Sequence, residues 1–299
     1  MAETTGIAWC DHTWSPWIGC TKVSPGCDHC YAEALDARHR YGGATHWGAG
    51  VPRYRTKSWS QPIAWNKKAA KAGERRTVFP SLCDPFDLDV DQQWCEDFFD
   101  LIGVTQNLTW LLLTKRIGLV NKIARQSRNY PNVWLGASVV NQEEADRDIP
   151  KLLATPAAKR FVSYEPALGS VGWSPFFAAN DLHRIDGGLR LDWIIVGGAS
   201  SPGGAKARPF NLAWARSTVG LCGAAGVPCF VKQLGSCVHV RNDEEWDNWP
   251  HFDHGAVEHD VHGFSEEYQG ALCRPRLRDR AGADPAEWPE DLRVQEFPA

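Results

Sequence analysis

Cys20, Cys27 and Cys30 fall within eleven residues, in the stretch Trp17-Ile-Gly-Cys-Thr-Lys-Val-Ser-Pro-Gly-Cys-Asp-His-Cys-Tyr31. Three thiolates in one short loop can each hold an iron of a 4Fe-4S cluster. No fourth cysteine follows in the loop, so the fourth iron would stay open to a further ligand, an arrangement suited to chemistry rather than to electron storage. The C-x6-C-x2-C spacing also admits zinc, with Cys10, His12 or His29 as nearby fourth donors. Gly19, Pro25 and Gly26 around the cysteines read as a ligand loop rather than as a site of packing thiols.

A loop of this kind needs a scaffold, and the rest of the chain supplies one. Short β-branched or apolar runs alternate with helix-like segments, the pattern of parallel strands joined by crossover helices. Strands are expected at 6–10, 77–83, 109–114, 133–139, 160–165, 191–197 and 228–233, and helices at 31–40, 91–104, 117–127, 142–154 and 211–225. Pro131, Pro156 and Pro228 stand between elements, and Asn141 and Asn211 are placed to cap the helices after them. Spacing alone allows a partial or complete barrel or an open doubly wound sheet. In either architecture the ligand site forms at the C-terminal ends of the strands. The residues falling there are Asp84, Lys115, Arg116, Ser138, Glu165, Gly197, Gly198, Lys232 and Gln233, beside the cysteine loop that leaves the first strand.

Composition narrows the class. The 10 cysteines would suit a disulfide-rich secreted protein, but no charged-then-apolar leader precedes the first motif. No apolar run approaches the roughly 20 residues of a membrane span, so a cytoplasmic protein with reduced thiols is expected. The net charge of −4 is unevenly spread: residues 243–299 hold 15 acids and 5 bases, leaving +6 on the first 242. Residues 53–76 carry eight bases against the single acid Glu74, with Tyr54, Trp59 and Trp65 interleaved. Bases neutralise phosphates and exposed rings stack on nucleobases, so Arg53, Arg55, Lys57, Lys67 and Lys68 are candidates for contacting DNA or RNA. The competing reading is a solvated helix face with its Trp residues turned into the core.

A resemblance adds to these readings. The three-cysteine loop leaving the first strand of a βα barrel looks like the radical S-adenosylmethionine (SAM) superfamily, of which spore photoproduct lyase is one member. The stretch Trp14 to Glu33, with Leu112-Leu-Thr-Lys-Arg116, Trp134-Leu-Gly-Ala-Ser-Val139, Ser163-Tyr-Glu-Pro166 and Val231-Lys-Gln-Leu-Gly235, more closely resembles a phage-associated family of uncharacterised proteins. The superfamily resemblance implies a partial or complete TIM-type α/β barrel with Cys20, Cys27 and Cys30 on a 4Fe-4S cluster whose open iron binds SAM. A 5′-deoxyadenosyl radical would follow, with a reductant such as flavodoxin or ferredoxin as partner. The first gap of six residues, where the superfamily usually has three, and His29 in place of its usual aromatic ring are departures.

Under that resemblance Asp84 would accept from the SAM ammonium, and Ser138 would reach its ribose hydroxyls or carboxylate. Gly197 and Gly198 would let adenine approach the backbone. Lys115 and Arg116 would clamp the SAM carboxylate or a substrate phosphate, with Glu165 pairing with one of them or orienting substrate. Cys83 is read as a buried strand cysteine, with a radical relay or fourth ligand as the alternative. His251, His254, His259 and His262 are read as a solvated loop more readily than as a metal site. Residues 1–235 are expected to form the barrel, and residues 236–299 an acidic, irregular extension packed on it.

Overall fold

The computed structural model describes residues 5–123, 130–177, 190–201, 206–241, 272–273 and 277–299. Its strands are β1 (His12–Thr13), β2 (Trp17–Ile18), β3 (Tyr54–Arg55), β4 (Arg76–Phe79), β5 (Leu108–Thr114), β6 (Val133–Ser138), β7 (Lys159–Tyr164), β8 (Trp193–Gly197), β9 (Phe210–Asn211), β10 (Cys229–Gln233), β11 (Val238–Arg241) and β12 (Leu272–Cys273). The α-helices are α1 (Tyr31–His39), α2 (Ser60–Ala72), α3 (Gln92–Val104), α4 (Val120–Ile123), α5 (Gln142–Leu153), α6 (Ser174–Phe177) and α7 (Leu212–Ala225). None of the described helices is long and apolar enough to cross a membrane.

Seven strands form one parallel sheet in the order β1-β4-β5-β6-β7-β8-β10, curled into a half-barrel. The order never reverses along the sheet, which excludes the doubly wound alternative, since that topology requires a switch point. Among the described residues no ladder joins β1 to β10, so the barrel is partial.

The strands read as nearly continuous apolar runs because both faces of the sheet are covered. Along β5, Trp110 and Leu112 belong to the core under the helices, while Leu111 faces the inside of the curl with Phe161, Trp193, Ile195 and Phe230. Gly136 on β6 makes room for this lining: a Cβ there would sit 2.3 Å from the Phe161 ring. Asn141 and Asn211 cap α5 and α7 as expected, accepting from Glu144 N–H at 3.0 Å and Ala213 N–H at 2.9 Å.

The elements depart from expectation mainly near the N-terminus. No strand forms at residues 6–10; the Cys10 N–H turns back to the Ile7 carbonyl, and Trp9 fills the base of the curl against Phe79, Phe161 and Trp193. The first strand is the two-residue β1, paired to β4 at His12 and Thr13. The helix expected at 117–127 is a 3-10 turn at Ile117–Leu119 followed by α4, and residues 124–127 lie outside the described ones. Helix α2 and the short strands β2, β3, β9 and β11 are further elements.

Of the C-terminal extension, residues 277–299 lie along the free edge of β10. Val231 N–H donates to the Val294 carbonyl, Glu296 N–H to the Cys229 carbonyl, and Trp193 Nε1 to the Glu296 carbonyl at 2.8 Å. The four histidines of 251–262 lie outside the described residues.

Candidate functional site

The cysteine loop is built onto the ends of β4 and β5. Strand β2 pairs antiparallel with β3, and the chain then turns at Gly19, whose φ of +120° and close approach to the His46 carbonyl exclude a side chain. Gly19 N–H donates to the Leu82 carbonyl at 3.1 Å, and Gly19 bridges Cys83. Ser24 then caps a 3-10 turn at Pro25–Cys27 by accepting the Gly26 N–H at 2.9 Å. Cys30 is the N-cap of α1, where the neighbouring Ala32 and Glu33 amides favour thiolate although its side chain makes no capping hydrogen bond.

Cys20, Cys27 and Cys30 line one cavity of about 150 Å³ together with Asp84, Lys115 and Ser138. Burial pushes the Cys20 thiol up to about 12, with Asp84 adding to the shift and Arg116 opposing it. Burial likewise raises Cys30, against the pull of the α1 amides and Lys115. Cys83 shares this cavity wall, and burial raises its thiol far above the ordinary value. It lies beyond the end of β4, in an isolated bridge with Gly19. Among the described residues no three His, Cys, Asp or Glu side chains form a group that could hold a single metal ion.

Cys30, Lys115 and Ser138 also line a second, adjoining cavity of about 300 Å³. His29, Glu165, Gly198, Lys232 and Arg208 face this space. Its floor is the aromatic lining of the half-barrel, including Trp9 and Phe79. Lys115 Nζ donates to Ser138 Oγ at 2.8 Å. His29 adopts a left-handed φ of 57°, unusual for a residue with a side chain.

The strand ends thus gather at one mouth, but their pairings differ from expectation. Arg116 pairs with Asp84 at 2.9 Å, and Glu165 forms its ion pair with Lys232, not with Lys115 or Arg116. The Asp84 oxygens accept from Phe86 N–H, Thr114 Oγ1, Lys115 N–H and Arg116, so the carboxylate already has four donors. Gly198 is demanded by its own neighbour: a Cβ there would lie 2.2 Å from the Leu234 carbonyl oxygen. At Gly197 the nearest atom would be the Gln233 carbonyl oxygen at 3.3 Å.

The basic stretch of residues 53–76 separates into three environments. Arg53 is buried, its side chain 1 % exposed, and pairs with Asp87 at 2.7 Å and Asp89 at 3.0 Å, which corrects its reading as a phosphate contact. Arg55 pairs with Asp97 at 2.6 Å and stacks over Trp59 at 4.4 Å. Lys57, Lys67 and Lys68 are exposed. Trp65 is buried and stacked on His12, and Trp59 packs against the core, so the Trp residues do turn inward. Asn66 on α2 accepts from Asn107 N–H at 2.8 Å, just before β5 begins, which puts the neighbouring Lys67 and Lys68 toward the strand ends opposite the cysteines. Trp14 and Trp17 are wholly buried against Phe98.

Arg208 has no counterpart in the sequence reading. Its guanidinium donates to the carbonyls of Pro25 and Asp28, the latter at 3.1 Å, pinning the cysteine loop at points other than those Arg116 holds. The contact spans about 180 residues of chain, and the surrounding Ala-Lys-Ala-Arg-Pro carries no spacing that would announce it.

One family model, described as a protein of unknown function (DUF5131), matches residues 4–277 of the chain. No curated protein and no solved structure matches it.

Proposed function

The chain belongs to that family, whose description names no activity, and we propose that it is a radical SAM-type iron-sulfur enzyme. One observation carries the reading. Three cysteines at the C-terminal mouth of a parallel half-barrel line one small cavity, which adjoins a larger one through Cys30, Lys115 and Ser138. The donor set fits a cluster: soft thiolates suit iron-sulfur ligation, and the Arg116 cation 3.4 Å from the Cys20 sulfur favours the anionic form that a ligand must present.

When bound, the cluster and SAM would supply one-electron cleavage of a carbon-sulfur bond and a 5′-deoxyadenosyl radical. The protein's part is to bind, orient and exclude water. Cys20, Cys27 and Cys30 would hold three irons. Lys115, facing both cavities, is placed to receive a carboxylate, with Ser138 fixing its ammonium. His29, Gly198 and the Glu165–Lys232 pair bound the larger cavity, where SAM and the reacting part of a substrate would lie. Asp84 acts through Arg116 and the end of β5, not as a direct ligand.

The proposal extends to a nucleotide, DNA or RNA as substrate and to flavodoxin or ferredoxin as reductant in a cytoplasmic, phage-associated setting. For the substrate, support comes from Lys115, Lys232 and Arg208 around the larger cavity, which offer cations to a phosphate; the 53–76 stretch contributes less than its composition implied. Anaerobic reconstitution with iron and sulfide tests the activity. The expected result is a brown protein that, once reduced, releases 5′-deoxyadenosine from SAM. A colourless zinc-binding protein that leaves SAM intact would overturn it in favour of a metal-stabilised binding protein.

A further inference from the structure

Arg116 leaves the end of β5 and sends its guanidinium into the cysteine cavity. Nη1 donates to Asp84 at 2.9 Å and lies 3.4 Å from the Cys20 sulfur, while Nη2 donates to the Thr21 carbonyl at 2.5 Å. The Arg116 and Asp84 side chains are each 8 % exposed, and Asp87 stands 3.8 Å away as a second counter-ion. Arg53 reinforces the arrangement from behind, donating from Nη2 to Thr21 Oγ1 at 2.7 Å while paired with Asp87. The residue after Cys20 is thus gripped at its carbonyl by one arginine and at its hydroxyl by another.

We infer that Arg116 is a positioning residue that fixes Cys20 and, by donating to its sulfur, raises the reduction potential of the cluster bound there. This rests on the iron-sulfur reading above. A reduced cluster carries one more negative charge than an oxidised one, and an N–H aimed at a ligating sulfur stabilises that extra charge. The guanidinium is already oriented by Asp84 and the Thr21 carbonyl, so little reorganisation opposes the effect. Lysine cannot replace it fully. A single ammonium keeps the charge beside Asp84 but lacks the planar fork that serves a carboxylate, a carbonyl and a sulfur together.

The test is a redox titration, followed by the cluster's absorbance and electron paramagnetic resonance, of wild type, Arg116→Lys and the double variant Arg116→Gln/Asp84→Asn. The double variant avoids leaving Asp84 buried and unpaired, and Arg116→Lys provides a charge-conserving alternative if the double variant does not fold. The inference expects clusters of equal iron and sulfide content whose midpoint shifts to more negative potential, less in Arg116→Lys than in the double variant. Folded variants with intact clusters at the wild-type midpoint would reduce Arg116 to a structural ion pair and overturn the inference alone. Failure of the wild type to assemble any cluster would overturn both the inference and the reading on which it rests.

Discussion

Glu165, just past the end of β7, and Lys232, on β10, form an ion pair across the inside of the half-barrel although β8 lies between their strands. The curl of the sheet brings their inward side chains together, which an untwisted sheet would not do. The side chains are 15 % and 21 % exposed, so the pair is partly desolvated at the rim of the larger cavity.

Removing both partners should therefore cost less than the sum of removing each alone. Lys232→Met is expected to destabilise the protein by about 1–3 kcal/mol by leaving Glu165 uncompensated. Glu165→Gln/Lys232→Met should cost about 1 kcal/mol less than the sum of the single changes. A double-mutant cycle in urea measures this. Strict additivity would mean that the two charges do not interact.

Two glycines give a contrast of opposite sign. Gly198→Ala would drive a methyl group against the Leu234 carbonyl oxygen, where only 2.2 Å is available, and should cost about 2–4 kcal/mol. Gly220 lies within α7 with nothing near its missing Cβ, so Gly220→Ala should stabilise by about 0.5–1 kcal/mol. Thermal melts of the two variants check both directions, and a destabilised Gly220→Ala would contradict the described packing of α7.

Within the basic stretch, charge removal should separate burial from solvation. Arg53→Met leaves buried Asp87 without its closest cation, with only Arg116 at 3.8 Å remaining, and should cost about 3–5 kcal/mol. Lys67→Ala and Lys68→Ala should each stay within about 0.5 kcal/mol of wild type. If DNA or RNA is retained through the larger cavity, neutralising Lys67 and Lys68 together leaves retention on an immobilised oligonucleotide nearly unchanged. A steep loss from that variant alone would return the nucleic-acid contact to α2.

These predictions follow the boundary between what the chain announces and what only folding reveals. Strands β5 to β8 and β10 were legible because each is a short apolar run between breakers, and their last residues marked the mouth correctly. Strand β1 was not, because two residues carry no period, while within the more apolar residues 6–10 Trp9 fills the lumen and no strand pairs. Arg53 looked like a surface base because its neighbours are bases. Its partners Asp87 and Asp89 lie 34 and 36 residues away, beyond any local pattern. Glu165 and Arg116 were placed at the correct edge, but which charge meets which depends on the curl of the sheet, and that is not written in the spacing. Arg208 was invisible for the same reason.

The central claim is that Cys20, Cys27 and Cys30 together leave one iron open to SAM. Its most direct measurement is the electron paramagnetic resonance spectrum of the reduced, reconstituted protein before and after SAM is added. The account predicts a 4Fe-4S signal that SAM reshapes, lost in each of Cys20→Ala, Cys27→Ala and Cys30→Ala and retained in Cys83→Ala. A signal indifferent to SAM, or one that survives loss of any of the three cysteines, would contradict it.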